Sequence, residues 1–308
     1  MLATIAHLYP VEYERKINIP KDRDQALDLI DPVHQIWLLL LDGALHVAPA
    51  KTQGANVLDL CTGKGAWAKD FASLNCMTRV IGMDFIIPWR PPLWKPMNLV
   101  FCTQEIGSQW LLPKNAFDFI HGRTVGGEIS NWTEHYEKVF EHLKPGGYYE
   151  DQELSFYLKS DDGSVRDDHI FHYWHDLQIA ALERGTFDRT GTFTTLDARR
   201  QRMSAAGFQD IVVRRMKIPV GPWTTSLRLS DAGRWLRYYM EAEWATHRVF
   251  GRLLRTFDWS EEDIDEFVDM YRKQLRNKSV HAYLECDVMF GRKPEKVGQT
   301  RRNNTPRN

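Results

Sequence analysis

Cysteine is scarce in this chain. Four occur in 308 residues (Cys61, Cys76, Cys102 and Cys286), and no two stand in a C-x-x-C spacing. That argues against a disulfide framework and against a cysteine-built zinc site, so no metal is expected. A reducing, cytoplasmic setting is the expectation. Charge of one sign is missing too: 40 Lys and Arg stand against 41 Asp and Glu, a formal net charge of -1. No strong field draws in DNA or an anionic bilayer, so neither nucleic acid nor membrane is an expected partner. Long apolar runs are absent. The longest, residues 36–41, is far too short to span a bilayer, and MLATIAHLYPVEYERK lacks the apolar stretch of a signal peptide. There is no internal repeat and no Gly/Ser linker. Neither G-x-G-x-x-G nor G-x-x-x-x-G-K-[ST] occurs, which argues against a dinucleotide loop and a P-loop.

What is present is a core-forming composition, 43% hydrophobic and 26% charged. Short apolar runs alternate with helical patterns from residue 56. NVLDL (56–60), RVIGMDF (79–85), MNLVFC (97–102), FDFIH (117–121) and YYEDQEL (148–154) read as strands. GAWAKDFASL and NWTEHYEKVFEHL carry helical spacing, the second with Trp132, Tyr136, Val139, Phe140 and Leu143 on one face and a KPGG breaker behind it. Such alternation predicts a parallel sheet with helices on both faces. The second half is more helical: 166–185, 196–208, and a block from Ser230 to about Arg276. In that block Ser260 and Asp263 form a capping-box pattern. QDIVVRRMKIP (209–219) and HAYLECDVMFGRKP (281–294) read as late strands. The polar tail 295–308 is expected to be disordered.

The stretch DLCTGKG (59–65) follows the first strand and opens a helix. A strand-to-helix turn with glycines lets a ligand approach the backbone closely and offers free N–H groups. Gly63 and Gly65 supply that turn. Asp84 stands at the end of the second strand, where a carboxylate can accept hydrogen bonds from ribose hydroxyls. D-x-C-x-G-x-G resembles the [DE]-x-G-x-G-x-G signature of class I S-adenosylmethionine methyltransferases, with Cys61 in place of one glycine. A side chain at Cys61 crowds the methionine end of the cofactor if that backbone needs a positive φ.

Other motifs carry a narrower resemblance over about residues 18–294. They are Pro20 and Asp22 with His34 and GALHVAP (43–49), LDLCTGKGAWA (58–68), Gly82 with Asp84, Glu105 with Trp110, and FDFIHGR (117–123). Gly127, Asn131 and Trp132, LKPGGYYEDQE (143–153), GPW (221–223), WSEED (259–263) and FGRKP (290–294) complete the set. The chain resembles the fungal LaeA-like, or UMTA-type, methyltransferases of secondary metabolism.

That resemblance implies a Rossmann-like sheet of seven mainly parallel strands, the last strand antiparallel. It implies an N-terminal helical lid (1–50), a methyltransferase domain (51–294) and helical insertions at about 155–205 and 225–278. S-adenosyl-L-methionine is the implied cofactor. Asp59 suits its ammonium, Asp84 with Phe85 its ribose, and Glu105 with Ile106 its adenine. Cys61, Thr62, Gly63 and Gly65 form the loop, and Arg123 either holds the cofactor carboxylate or makes a structural ion pair. His121, at the end of the fourth strand, is the first choice for a general base; the alternative is that it only orders the loop. Tyr9, Tyr13, His34, Trp37, Trp235 and Tyr239 are candidates for substrate contact or for plain packing. His169, His172 and His175 are expected on the surface or in the cap rather than on a metal. The expected partner is a small-molecule substrate, with a second copy of the chain or a pathway protein left open. The expected reaction is methyl transfer, O-directed, to a natural product. A regulatory role without a small acceptor, and a repurposed fold steering a step such as cyclisation, stand as alternatives.

Overall fold

A computed structural model describes residues 31–85, 95–184, 194–242 and 250–295 of the chain. Strand β1 (Asn56–Leu60) is flanked by β2 (Arg79–Asp84) and β4 (Phe117–Arg123); β3 is Leu99–Thr103, β5 Leu143–Leu154, β6 Gln209–Pro219 and β7 Tyr283–Arg292. They form one seven-stranded sheet in the order β3-β2-β1-β4-β5-β7-β6. The first five strands pair in parallel. Strand β7 runs antiparallel to β5: Gly146 N–H donates to Lys293 O at one end and Ser155 N–H to Glu285 O at the other, each at 2.8 Å. Strand β1 is buried over four of its five residues, as a strand covered on both faces must be.

Helices connect and cover the strands: α1 (Pro32–Leu40), α2 (Ala66–Leu74), α3 (Trp132–His142), α4 (Ile170–Glu183), α5 (Leu196–Ala205), α6 (Leu227–Glu241) and α7 (Glu261–Leu275). Their starts follow from local chemistry. Asn131 caps α3 by accepting from the N–H groups of Thr133 and Glu134. Ser260 and Asp263 close a full capping box on α7. The KPGG segment does not end one element and start another after a gap. Strand β5 begins at Leu143, directly behind α3, and the register slips between Phe117 and Phe119. Gly146, at φ +81°, lies within that irregular stretch. The expected helical block from Ser230 is two long helices, α6 and α7, with short turns at Arg252–Leu254 and Arg255–Phe257 between them.

The described residues fall into two compact units. One holds residues of 46–154, 189–215 and 287–295; the other holds those of 31–45, 155–188 and 216–286. The first contains the sheet core, in which Leu58, Leu60, Met83, Ile120, Tyr136 and Tyr149 pack with Met203 and Phe208. The second is held by helix contacts, α1 against α6 and α4 against α7. Its aromatic core includes Trp174 stacked on Phe250 (3.6 Å between ring centres) and Phe171 edge-on to Tyr271.

Candidate functional site

The turn 61–65 leaves β1 at its C-terminal end. Cys61, Gly63 and Gly65 have φ of +50°, +53° and +73°. Two of these are positions where glycine adopts the left-handed region without strain. Cys61 holds the same conformation at a cost of about 1–2 kcal/mol. The two glycines do different work. A Cβ on Gly65 would meet the Phe101 ring at 2.5 Å, and one on Gly82 would meet Phe101 and Thr62 Oγ1 at 2.8 Å. Both glycines therefore let the start of α2 and strand β2 close on the Phe101 ring. A Cβ on Gly63 would meet nothing within 4 Å. Gly63 is the point of the turn where a ligand can reach the backbone.

Asp84, at the end of β2, is half-buried and accepts the Gly63 N–H at 2.8 Å. Asp59 is turned the other way. Its Oδ2 accepts from Thr62 Oγ1 at 2.6 Å and its Oδ1 pairs with His121 Nδ1 at 2.8 Å, all buried. These two internal bonds brace the turn. Thr62 is drawn into the same bracing and is itself buried.

His121 has no exposed surface. Its ring lies parallel to Trp67 of α2, centre to centre 3.8 Å. Burial pushes its pKa below the usual histidine value, against the opposing pull of Asp59. The pair and the stack together link β4, β1 and α2. The residue alternation of a strand decides this: His121 sits beside Asp59 in register, so its side chain falls on the face covered by α2.

Phe85, just after β2, and Glu105, just after β3, are exposed, and Ile106 is buried. Lys138 of α3 donates to the carbonyls of Ile106, Gly107 and Ser108, and Trp110 Nε1 donates to Ile106 O. Lys138 had no signal in the sequence, since its role depends on α3 lying beside this loop. At the end of β4, Arg123 Nε donates to Gln152 Oε1 at 2.7 Å. Gln152 in turn donates to Glu150, which accepts the N–H groups of Val47 and Ala48. Arg123 is thereby tied to strand β5 through an amide. Glu153 accepts from the N–H groups of Val125 and Gly126 and fixes the turn that follows β4. Thr124, a β-branched residue, sits at φ +54° in that turn, an outlier of the kind found where a site over-determines the backbone.

The Cys61 thiol is held well above the usual cysteine value by burial, and then by the carboxylates of Asp84, Glu128, Asp59 and Glu153. It is a protonated thiol, not a nucleophile.

Tyr9 and Tyr13 lie outside the described residues. His34, Trp37 and Trp235 are buried, and Tyr239 is half-buried. They belong to α1 and α6, which pack on each other. His172 Nε2 donates to Leu158 O and stacks on Tyr157; His169 caps α4. Among the described residues no group of His, Cys, Asp and Glu converges as a metal site. Among them also, no helix is long and apolar enough to cross a membrane.

Residues 33–213, more than half of the chain, match the family described as the methyltransferase domain. The chain belongs to the methyltransferase-domain family. Similar curated proteins are fungal. One is the methyltransferase pytC of Aspergillus terreus, 28% identical over 278 residues, 89% of this chain and 82% of pytC. Another is the secondary metabolism regulator LAE1 of Cochliobolus heterostrophus, 29% identical over 274 residues, 87% of each chain. A solved phosphoethanolamine N-methyltransferase 2 of Haemonchus contortus aligns at 16% identity with a TM-score of 0.49, over 85% of this chain and 53% of that one.

The methyl donor this family implies is S-adenosylmethionine, and the residues present fit it. It carries cationic sulfonium and ammonium groups, and the Asp84 carboxylate stands at the turn. Its ribose diol calls for an acceptor, and Asp84 stands half-buried beside the open face of Gly63.

Proposed function

We propose that this methyltransferase transfers the methyl group of S-adenosylmethionine to a hydroxyl of a small natural product. The open backbone at Gly63 beside Asp84, at the C-terminal edge of β1 and β2, carries this reading. Ligands of open parallel sheets lie at that edge. When bound, the cofactor supplies an activated methyl group. Asp84 would hold the ribose and Gly63 would admit the methionine end, while the Asp59–Thr62 and Asp59–His121 bonds keep the turn in shape. Glu153 holds the Val125–Gly126 turn at the neighbouring strand ends.

Methyl transfer to a sulfonium-activated carbon demands alignment and exclusion of water more than a fixed catalytic group. An enclosed His121 is consistent with that demand. The acceptor class is supported by the likeness to pytC, named a methyltransferase, and to a regulator of secondary metabolism.

Calorimetric binding of S-adenosylhomocysteine to the full chain, followed by transfer of labelled methyl to a panel of phenols and enols, tests the proposal. Binding with an Asp84→Ala loss, and turnover on an oxygen acceptor, is the expected result. Cofactor binding with no turnover on any small acceptor would overturn the substrate class and favour a regulatory role.

A further inference from the structure

A cavity of about 570 Å³ opens between the first turns of α4 and one face of α7. Its residues on α7 are Asp263, Glu266, Phe267 and Met270, the i, i+3, i+4, i+7 stripe of a single helix face. Helix α4 adds Ile170 and Tyr173, and the turn before α7 adds Asp258 and Trp259. Phe267 is buried and forms the floor. Trp259 stands edge-on to it at 86°, with ring centres 5.6 Å apart, and Tyr173 flanks it at 62° and 6.0 Å. Tyr173 and Met270 are each about half exposed (49% and 47%). Three aromatic rings thus line the one cavity, an aromatic box.

The rim of the box has one sign of charge. Asp168, Asp258, Asp263 and Glu266 line it, and among the described residues no lysine or arginine does. Asp168 has Arg166 at 3.6 Å, but both are largely exposed, where such a pair is worth little. Asp263 is held ionised by its bonds to Ser260. Among the described residues these acids do not converge as metal ligands would. A compact metal ion is therefore the wrong guest. A large cation with its charge spread over alkyl groups suits both parts of the site: ring faces attract it through their quadrupoles, and separated carboxylates complement its charge at longer range.

We infer that this cavity is a binding site for a methylated ammonium group. It sits wholly within the unit of residues 31–45, 155–188 and 216–286, and no role in methyl transfer is required of it. The head group can come from a free small molecule such as choline or from a trimethylated lysine in a peptide. Both present the same chemistry to the box.

Calorimetry on the full chain at low salt, with choline, a trimethyllysine peptide and the neutral isostere 3,3-dimethylbutanol, tests the assignment. At least one of the two cations should bind with a dissociation constant of about 1 mM or tighter. The neutral isostere should bind roughly tenfold more weakly, the difference a desolvated cation–ring contact produces. Binding of choline alone, or of the peptide alone, assigns the source and upholds the site. Glu266→Gln, an exposed change that leaves the packing untouched, should weaken the cation several-fold, and Tyr173→Leu should do the same. Equal affinity for the neutral isostere overturns the proposal. So does the absence of saturable binding by either cation, or cation affinity unchanged in both variants.

Discussion

His121 Nδ1 and Asp59 Oδ1 lie 2.8 Å apart across strands β4 and β1, sealed from solvent beneath Trp67. Because Asp59 also accepts from Thr62, this pair ties the sheet to the turn that faces the cofactor. A His121→Phe change keeps a ring under Trp67 but strips Asp59 of one partner. It should cost about 2–3 kcal/mol in urea unfolding, the range for a buried hydrogen bond to a charged group. In steady-state kinetics the loss should appear as weaker cofactor binding, with the shape of the kcat pH profile unchanged. A selective loss of kcat with the cofactor affinity intact would instead return His121 to the role of base.

The two glycines of the turn should separate folding from binding. Gly65→Ala places a methyl group against Phe101 in a left-handed backbone, so it combines overpacking with strain and should cost about 2–4 kcal/mol. Pairing it with Phe101→Ala should recover part of that. Gly63→Ala meets no neighbour and should lose only about 1–2 kcal/mol from its backbone conformation. Its S-adenosylhomocysteine affinity, read by calorimetry, should nonetheless fall at least tenfold.

Cys61→Gly relieves a left-handed cysteine and removes its partial packing on the core. The two effects oppose, and strain relief should prevail, raising the urea midpoint by the equivalent of up to about 1 kcal/mol. Thiol labelling gives an independent check. With its thiol held protonated, Cys61 should react with iodoacetamide at pH 8 far more slowly than the exposed Cys76, as mapped by peptide mass spectrometry.

Arg199 of α5 joins two acids on different strands. Its Nη1 donates to Asp151 Oδ2 at 2.9 Å and its Nη2 to both oxygens of Asp287; Tyr136 OH also donates to Asp151. Removing the guanidinium leaves Asp151 buried without its charge partner. Arg199→Met should therefore cost about 3–5 kcal/mol by urea unfolding, and adding Asp151→Asn should recover a measurable part.

Stability in acid should carry the mark of His135. Burial pushes its pKa down to about 3, and its Nε2 lies 3.0 Å from Tyr149 OH. Its folded pKa is depressed below the unfolded value near 6.5, so the unfolded chain binds the extra proton. The neutral ring's contribution is full above about pH 6.5 and is lost at up to about 1.4 kcal/mol per pH unit as pH falls toward 3. Asp151 works in the opposite sense. Burial raises it to about 6, so its contribution is full below the unfolded value near 3.9 and fades as pH rises through 6. The advantage of the native chain over His135→Gln should therefore shrink between pH 6 and pH 4 in urea titrations, a difference in which the Asp151 effect cancels.

The sequence by itself determined the strands and caps, because their causes are local. Residues 56–60 and 209–219 are strands as their patterns predict, and Ser260 with Asp263 closes the capping box that their spacing specifies. The glycine turn after β1 was legible for a similar reason: glycines after a strand and an acid at the next strand end are set by covalent spacing. Tertiary structure alone decided which way the side chains of that turn face. Asp59 and His121 meet because β4 pairs beside β1 in a register that puts both beneath Trp67, a choice made 62 residues apart in the chain. Lys138 at the 106–108 carbonyls and Arg199 between Asp151 and Asp287 are likewise products of helix placement. The aromatic box between α4 and α7 is one more. Tyr173 and Trp259, from separate parts of the chain, both meet Phe267 there and line the one cavity.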